Sequence, residues 1–218
     1  MTKMTVSKIF ESIQGEGAWL GVPAIFVRFH GCNLACDFCD ENKHEFGQEV
    51  SVNNLVNELV RRMERTGWRH IVLTGGEPLI QPGIAEVVEK LLNYDPLEIL
   101  QIETNGTTGL RFEHPYHYKA WASCSPKEVN EWKIHDELYR YIKELKYVVT
   151  EKLTAENIYD VIKDFRHEHY VNIWLQPMWL PATQNRVDLN SLVKAIKMTK
   201  EDNTFRLGFQ AHKYWNIE

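Results

Sequence analysis

The chain has 218 residues, and 25 lysines and arginines stand against 30 aspartates and glutamates, so its formal net charge is −5. Hydrophobic residues make up 44% of it and charged residues 25%, which is typical of globular proteins and excludes disordered, collagen-like and coiled-coil chains. No uncharged apolar run reaches the ~18 residues of a membrane helix, residues 1–8 are polar and the charge balance is acidic, so we expect a cytoplasmic protein that binds neither membrane nor nucleic acid.

Short apolar runs alternate with longer amphipathic stretches along the chain. In the first stretch Leu55, Leu59 and Met63 recur at helical spacing, and Ser51 is the expected N-cap. Strands are predicted at 24–30, 70–74, 98–104, 118–123, 144–149, 170–176 and 205–210, and helices at 52–65, 84–92, 134–141, 155–165 and 189–200. Such alternation favours a parallel sheet, and seven strands are too few for a closed eight-unit barrel. We therefore predict an α/β protein with a single domain over 1–218, built as a partial TIM-type barrel of parallel strands with outer helices.

Five of the predicted strands end in polar or glycine-rich turns. Because the carboxyl ends of parallel strands meet at one edge of a sheet, these turns are expected to lie side by side and to form a ligand site. They are residues 30–32, 74–78, 103–106, 123–127 and 176–178.

The chain has four cysteines: Cys32, Cys36, Cys39 and Cys124. The first three form a C-x₃-C-x₂-C loop directly after the first predicted strand. Three thiolates could hold a 4Fe–4S cluster with one iron open to a further ligand. They could equally hold structural zinc with His30 or His44 as the fourth ligand, and the spacing alone does not separate the two. Cys124 stands apart and is expected to pack as an ordinary, partly buried thiol.

Two motifs together resemble the radical S-adenosylmethionine superfamily: the cysteine spacing, and the Gly-Gly-Glu-Pro turn at 75–78. The resemblance implies a cluster loop at 31–41, a 4Fe–4S cluster on Cys32, Cys36 and Cys39, and S-adenosylmethionine bound to the open iron. A glycine pair would let the backbone approach the methionine end of that cofactor closely. The cofactor-binding residues that the resemblance implies are Phe38, Cys39, Asp40, Gly75, Gly76, Glu77, Ser125, Pro126, Lys127, Gln176, Pro177, Met178 and Trp179.

A narrower resemblance covers essentially the whole chain. Segments 10–17, 27–34, 103–106, 125–127, 175–178 and 210–213 resemble the 7-carboxy-7-deazaguanine synthase family. That family converts 6-carboxy-5,6,7,8-tetrahydropterin into 7-carboxy-7-deazaguanine with loss of ammonia, on the route to queuosine and other deazapurines. The resemblance also implies magnesium, a homodimer, and an electron donor such as flavodoxin or ferredoxin.

The substrate-binding residues that this family implies suit a pterin chemically. The aminopyrimidinone edge of a pterin carries adjacent N–H donors. The carboxylate of Glu16 can accept hydrogen bonds from these donors, and the amide of Gln14 can pair with the same edge. Arg28 suits the substrate carboxylate, because a guanidinium binds a carboxylate through two parallel hydrogen bonds. The full set is Ile13, Gln14, Gly15, Glu16, Arg28, Thr74, His212 and the terminal Glu218.

One pair of residues departs from the family pattern. Asp-Thr usually follows the third cysteine, and the threonine is linked to magnesium, but here the pair is Asp40-Glu41. Glutamate is a hard oxygen ligand, so we expect Glu41, or else Asp40, to keep the magnesium with altered affinity. Two other functions stay open: another small radical enzyme, such as the activase of an anaerobic ribonucleotide reductase, and a non-catalytic zinc-binding module.

Overall fold

Nine strands and five α-helices make up the part of the fold that the structure describes. The computed structural model describes residues 2–39, 47–165, 171–180, 184 and 186–217. The strands are β1 Lys3–Ile13, β2 Pro23–Phe29, β3 Gln48–Ser51, β4 His70–Gly75, β5 Ile99–Thr104, β6 Ala120–Cys124, β7 Ile142–Val149, β8 Asn172–Pro177 and β9 Phe205–Leu207. The helices are α1 Val52–Thr66, α2 Ile84–Leu92, α3 Ala155–Ile162, α4 Leu189–Glu201 and α5 Ala211–Trp215.

All nine strands belong to one sheet, in the order β3-β1-β2-β4-β5-β6-β7-β8-β9. From β2 onward each neighbouring pair is parallel, whereas β1 runs antiparallel to both β2 and β3. The sheet does not close on itself, since β3 and β9 are its two edges. This open, mostly parallel sheet with outer helices confirms the predicted partial barrel. No helix among the described residues is long and apolar enough to cross a membrane.

The predicted elements are largely present. The seven predicted strands correspond to β2 and β4–β9, and four predicted helices correspond to α1–α4, with ends that differ by at most three residues. Ser51 caps α1 as expected, since its hydroxyl accepts a hydrogen bond from the N–H of Asn54 at 3.3 Å. The predicted helix at 134–141 is wrong: that segment holds only a short 3₁₀ turn, Asp136–Leu138.

β1, β3 and α5 were not predicted from the sequence. In β1 a bulge lies between Val6 and Lys8, and it shifts the alternation of inward and outward side chains by one residue. Met4 and Val6 therefore pack into the main core on one face, whereas Phe10 joins the apolar cluster on the other face. The broken alternation hides the strand from a search for period two.

The two faces of the sheet differ in chemistry. In β4, Ile71 and Leu73 pack with the helices into the main hydrophobic core, while Val72 points to the interior with Phe10 and Phe26. Other interior positions are polar, and they are filled by buried His70, Gln101, Ser123, Glu144 and Lys146. The outer face thus stabilises the fold, and the interior is free to carry chemistry.

The C-terminal segment packs across the open side of the barrel. The N–H of Ala211 at the start of α5 donates to the carbonyl of Gly15 at 2.9 Å, so β9 and the end of β1 are linked through this turn. Glycine at position 15 allows this close approach, because a Cβ there would lie 2.4 Å from Nδ1 of His212 and would force that side chain to move. This contact brings His212 beside the turn that carries Gln14 and Glu16.

Candidate active site

A cavity of about 330 Å³ lies at the carboxyl ends of the parallel strands. All five glycine-rich or polar turns predicted to form a site contribute to it, and so does the cysteine loop. The predicted site residues that line it are Ile13, Gln14, Gly15, Glu16, Arg28, Cys32, Cys36, Phe38, Cys39, Thr74, Gly75, Gly76, Ser125, Lys127, Gln176, Pro177, Met178, Trp179 and His212. Asp40, Glu41 and Glu218 lie outside the described residues, as does His44.

The cysteine loop borders this cavity with its three thiols. Cys32 is exposed, Cys36 and Cys39 are half-buried, and none of the three is in a disulfide among the described residues. Burial raises the pKa of Cys36, with Cys39 and Cys32 adding to the rise and Lys127 opposing it. Among the residues that the structure describes, no three cysteine, histidine or carboxylate side chains are gathered at the spacing of a single metal ion. The thiols are thus neighbours on an open loop.

Cys124 lies apart from these three thiols. It is fully buried, more so than the sequence predicted, and its Sγ would be 2.7 Å from a Cβ added at Gly106. Burial raises its pKa well above the usual value for a thiol. It therefore packs as a core residue.

The glycine pair after β4 lies directly on the backbone at the end of β2. Gly75 has φ +127°, and a Cβ there would lie 2.3 Å from the carbonyl oxygen of Phe29. A Cβ on Gly76 would lie 2.0 Å from the carbonyl oxygen of Gly31. Only residues without a Cβ can bring two backbone segments this close. Both glycines also line the cavity near Cys32, so this turn, the glycine cradle, presents bare backbone to it.

Glu77 is turned away from the cavity. It is fully buried, and its carboxylate accepts hydrogen bonds from the N–H of Leu79 at 3.0 Å, the hydroxyl of Thr104 at 2.8 Å and the N–H of Asn105 at 2.6 Å. Burial raises its pKa, against the lowering effect of those hydrogen bonds. The structure therefore does not bring Glu77 to the predicted cofactor position; it joins the turns after β4 and β5. Pro126, also predicted to bind the cofactor, does not line the cavity either.

Arg28 places its positive charge over an aromatic ring at the cavity. It lies mid-sheet, between Lys8 of β1 and Thr74 of β4. Its guanidinium carbon is 5.3 Å from the ring centre of Phe10, which in turn stacks on Phe26 at 5.1 Å. A guanidinium in this position suits an anionic group of a planar ligand.

The opposite wall of the cavity is acidic. Glu16, on the turn after β1, and Glu103, at the end of β5, are both largely buried and share the ammonium of Lys146. Burial would raise the pKa of Glu16, but Lys146 and His212 lower it to about 2, so Glu16 is ionised at neutral pH. Burial raises the pKa of Glu103 to about 7, with Lys146 opposing.

A layer of hydrogen bonds beneath the cavity supports Gln14. Its amide nitrogen donates to Oε1 of Gln101 at 3.0 Å, and the same oxygen lies 3.0 Å from Nε2 of His70. Burial lowers the pKa of His70 to about 4, against the hydrogen bond to Gln101, so at neutral pH the neutral ring donates its Nε2 proton. The Gln101 amide nitrogen donates to Glu103 at 2.9 Å. Gln14 is thereby fixed in one orientation.

The turn after β6 connects the cavity to the cysteine loop. The ammonium of Lys127 donates to the hydroxyl of Ser125 at 2.7 Å and lies 5.8 Å from the ring centre of Phe38. The hydroxyl of Ser125 in turn donates to the carbonyl of Lys146 at 2.7 Å. Two predicted cofactor residues, Ser125 and Lys127, are thus connected by hydrogen bonds to the backbone of Lys146 in the acidic wall.

Sequence reasoning missed several residues that line the cavity. Phe26, Lys146 and Val148 lie outside every segment predicted to form the site. The other lining residues that were given no individual role lie within predicted turns or family-like segments, and they are Phe10, Leu34, Ala35, Glu103, Thr104, Asn105 and Gln210. A signal existed in β7, where the charged Glu144 and Lys146 alternate with the apolar Leu145 and Tyr147. Such a pattern indicates a polar inward face.

Comparison with known proteins agrees with this geometry. Residues 26–130 match the family model described as "Radical SAM superfamily". The whole chain aligns with 95% of a 7-carboxy-7-deazaguanine synthase of Aquifex aeolicus at 34% identity, and with 90% of one from Rickettsia prowazekii at 32% identity. The fold is similar to that in the crystal structure of QueE from Escherichia coli, with a TM-score of 0.72 and 24% identity over 96% of this chain and 95% of that one.

Proposed function

Since the chain belongs to the 7-carboxy-7-deazaguanine synthase family, within the radical S-adenosylmethionine superfamily, we propose that it converts 6-carboxy-5,6,7,8-tetrahydropterin into 7-carboxy-7-deazaguanine and ammonia. The observation that carries the proposal is the joint lining of one cavity by three cysteine thiols, a bare glycine turn, an ionised Glu16 and an arginine. Alignment over the full length favours this reaction over that of an activase or a zinc-binding module.

The family uses a 4Fe–4S cluster, S-adenosylmethionine and magnesium, and the residues present fit the first two. Cys32, Cys36 and Cys39 would hold the cluster, because their three thiols border the cavity outside any disulfide. Gly75 and Gly76 would receive the methionine end of S-adenosylmethionine, since both present backbone without a side chain to the cavity that the cysteines border. Further contacts to this cofactor are proposed for Phe38, Ser125, Lys127, Gln176, Pro177, Met178 and Trp179. When bound, the cluster and S-adenosylmethionine supply the one-electron chemistry that starts the ring contraction.

The chain's own groups bind and orient the pterin. Glu16, ionised at neutral pH, would accept the N–H donors of the aminopyrimidinone edge, and charge-assisted hydrogen bonds of this kind are strong. Gln14 would add an amide whose orientation is already set by Gln101. Arg28 would bind the substrate carboxylate across the cavity. Ile13, Gly15, Thr74 and His212 line the same space and would complete the substrate site.

Further features of the enzyme are proposed from the family. Magnesium would be held by Glu41 or Asp40, and the terminal carboxylate of Glu218 would reach the substrate; all three lie outside the described residues. We further propose that residues 1–218 form one domain, that the enzyme is a cytoplasmic homodimer, and that flavodoxin or ferredoxin supplies its electrons.

Anaerobic turnover tests the proposed reaction. The protein is reconstituted with iron and sulfide, then incubated with the carboxytetrahydropterin, S-adenosylmethionine, magnesium and dithionite. The proposal expects about four irons per chain, a deazaguanine product and one ammonia for each turnover. A protein that binds iron but releases no deazaguanine would overturn the substrate assignment. A colourless protein with one zinc would overturn the radical chemistry as well.

Arg28→Gln separates substrate binding from cofactor binding. We expect its KM for the pterin to rise at least tenfold, because the substrate carboxylate loses its cation, while its affinity for S-adenosylmethionine stays within twofold. Arg111→Gln is the matched control, since Arg111 is an exposed arginine that pairs with Glu137 outside the cavity. Equal effects of the two substitutions on KM would contradict the role of Arg28.

Magnesium is tested by chelation. Turnover in chelator-treated, magnesium-free buffer is expected to fall and to return when magnesium is added. A concentration series then compares Glu41→Thr, which restores the residue usual in the family, with the wild type. Unchanged turnover without magnesium would refute the magnesium proposal.

A further inference from the structure

Lys146 is a buried cation at the centre of the acidic wall. It lies on β7, only 6% of it is exposed, and it borders the cavity. Its Nζ is 2.9 Å from Oε2 of Glu16 and 2.5 Å from Oε2 of Glu103. The two carboxylates come from separate parts of the chain, so Lys146 holds them in one wall.

Each carboxylate also has neutral partners. Oε1 of Glu16 accepts from the amide nitrogen of Gln210 at 2.8 Å. Oε1 of Glu103 accepts from the amide nitrogens of Gln101 at 2.9 Å and Gln14 at 3.3 Å. These neutral bonds orient the two carboxyl groups, but they supply no positive charge to the buried site. The Lys146 ammonium supplies it to both groups and opposes the proton uptake that burial favours, so without it a carboxyl group would stay protonated or turn away.

β7 also contacts the turn that carries Glu16 through a second side chain. Glu144, two residues earlier and on the same face of β7, is fully buried and accepts from the N–H of Ala18 at 2.9 Å. A Cβ on Gly17 would lie 2.6 Å from the Glu144 carboxylate oxygens, so the turn lies directly against this side chain. β7 thus contacts this turn in two ways: Glu144 binds the backbone of the turn at Ala18, and Lys146 binds the side chain of Glu16.

We propose that Lys146 is a positioning residue for the pterin: its ammonium couples Glu16 to Glu103 and so keeps the Glu16 carboxylate charged, fixed and directed at the N–H edge of the substrate. This inference rests on the proposed function, because it assigns Lys146 to the same substrate site. Lys146 acts through Glu16, and its loss therefore weakens binding of the pterin while leaving the cysteine loop and glycine cradle unchanged.

The test compares Lys146→Met, which keeps the length of the side chain and removes its charge, with Lys194→Met. Lys194 is a half-buried lysine of α4 whose two hydrogen bonds end on the backbone carbonyls of Thr150 and Glu151. Anaerobically reconstituted holoenzymes are titrated with the carboxytetrahydropterin and, separately, with S-adenosylmethionine by calorimetry. Turnover and iron content are measured on the same preparations.

Lys146→Met is expected to weaken pterin binding about tenfold or more, with S-adenosylmethionine affinity and iron content within twofold of the wild type. Lys194→Met should leave both affinities unchanged. The double variant Lys146→Met/Glu103→Gln removes the repulsion as well as the cation, so it should bind the pterin better than Lys146→Met alone, and it also serves if the single variant folds poorly.

The outcomes separate the two proposals. Pterin binding and turnover by the wild type, together with unchanged pterin affinity in Lys146→Met, would overturn the role of Lys146 and leave the proposed function standing. Equal losses of pterin and S-adenosylmethionine affinity, or no recovery in the double variant, would show a general structural role and would also overturn it. A wild type that neither binds nor converts the pterin would overturn both proposals.

Discussion

Replacing Gly76 with alanine tests whether the close approach of the two backbones builds the cofactor cradle. The new Cβ would lie 2.0 Å from the carbonyl oxygen of Gly31, 2.5 Å from its carbonyl carbon and 3.0 Å from the backbone nitrogen of Cys32. All three contacts are with backbone, so no side-chain rotation relieves them. One of the two segments must move by about 1.4 Å to reach ordinary contact at 3.4 Å.

The cost follows from what that movement breaks. The N–H of Glu77 donates to Gly31 at 2.8 Å, and the N–H of Gly76 donates to Phe29 at 3.2 Å, so both bonds join the segments that must separate. Losing them costs about 1 kcal/mol each, and overpacking adds about 1–3 kcal/mol. We expect the free energy of unfolding to fall by roughly 3–5 kcal/mol. The displaced segment begins the cysteine loop, so S-adenosylmethionine affinity should fall at least tenfold.

Gly67→Ala is the matched control. Gly67 ends α1 with φ +74°, and a Cβ there meets nothing within 4 Å. Its replacement should cost about 1 kcal/mol from the strained backbone alone. Urea unfolding gives the stability of each variant, and anaerobic equilibrium dialysis gives its S-adenosylmethionine affinity. If Gly76→Ala binds S-adenosylmethionine within twofold of the wild type, the cradle is not where this cofactor binds and the reasoning is refuted.

Three further predictions concern a thiol pair, a buried histidine and a buried carboxylate. Cys36→Ala should lose its bound iron, whereas Cys124→Ala should keep about four irons per chain and lose only about 1 kcal/mol of stability. The folded-state pKa of His70, about 4, lies below the ordinary value of 6.5. Stability is therefore complete above pH 6.5 and falls by about 3 kcal/mol as the pH drops to 4, and His70→Gln should remove this fall in urea titrations at each pH. Glu77→Gln should lower the free energy of unfolding by about 2 kcal/mol, because an amide has only one acceptor oxygen. Its N–H₂ group would face either the N–H of Asn105 or the N–H of Leu79 and the hydroxyl of Thr104, and those donors would lose their acceptor.

Each of these predictions has a contrary result. Iron loss from Cys124→Ala equal to that from Cys36→Ala would mean that the buried thiol takes part in cluster binding. Parallel stability curves for the wild type and His70→Gln between pH 6.5 and 4 would mean that His70 is not held neutral by burial. A melting temperature of Glu77→Gln equal to that of the wild type would mean that the carboxylate is not needed to join the two turns.

The outer helices could be predicted from the sequence because the spacing of apolar residues that identifies them lies within short segments. Leu55, Leu59 and Met63 face one core and repeat at helical spacing, so α1 was predicted to within one residue of its end. The segment 134–141 misled the same reasoning. Ile134, Leu138 and Tyr141 also have helical spacing and are buried, but the N–H of His135 is bonded to the carbonyl of Gly106, which holds the segment in a turn.

The candidate site was readable only where its residues occur in motifs. The cysteine loop and the glycine turn each need residue types at set spacings, because thiols must converge and backbones must approach. Lys146 belongs to no motif: it lies 130 positions from Glu16 and 43 from Glu103 along the chain. Glu77 shows the converse, since it stands within a motif but points into the protein.

The sequence by itself determined the α/β class, the order of strands and outer helices, the separation of three clustered cysteines from Cys124, and the family. These properties depend on periodicity and spacing within short segments, which the chain carries wherever it folds. The tertiary structure decided the antiparallel β1, the inward direction of the polar layer, and the ion triplet of Glu16, Lys146 and Glu103. These depend on strand register and on burial, which bring distant side chains together and settle which charges are compensated.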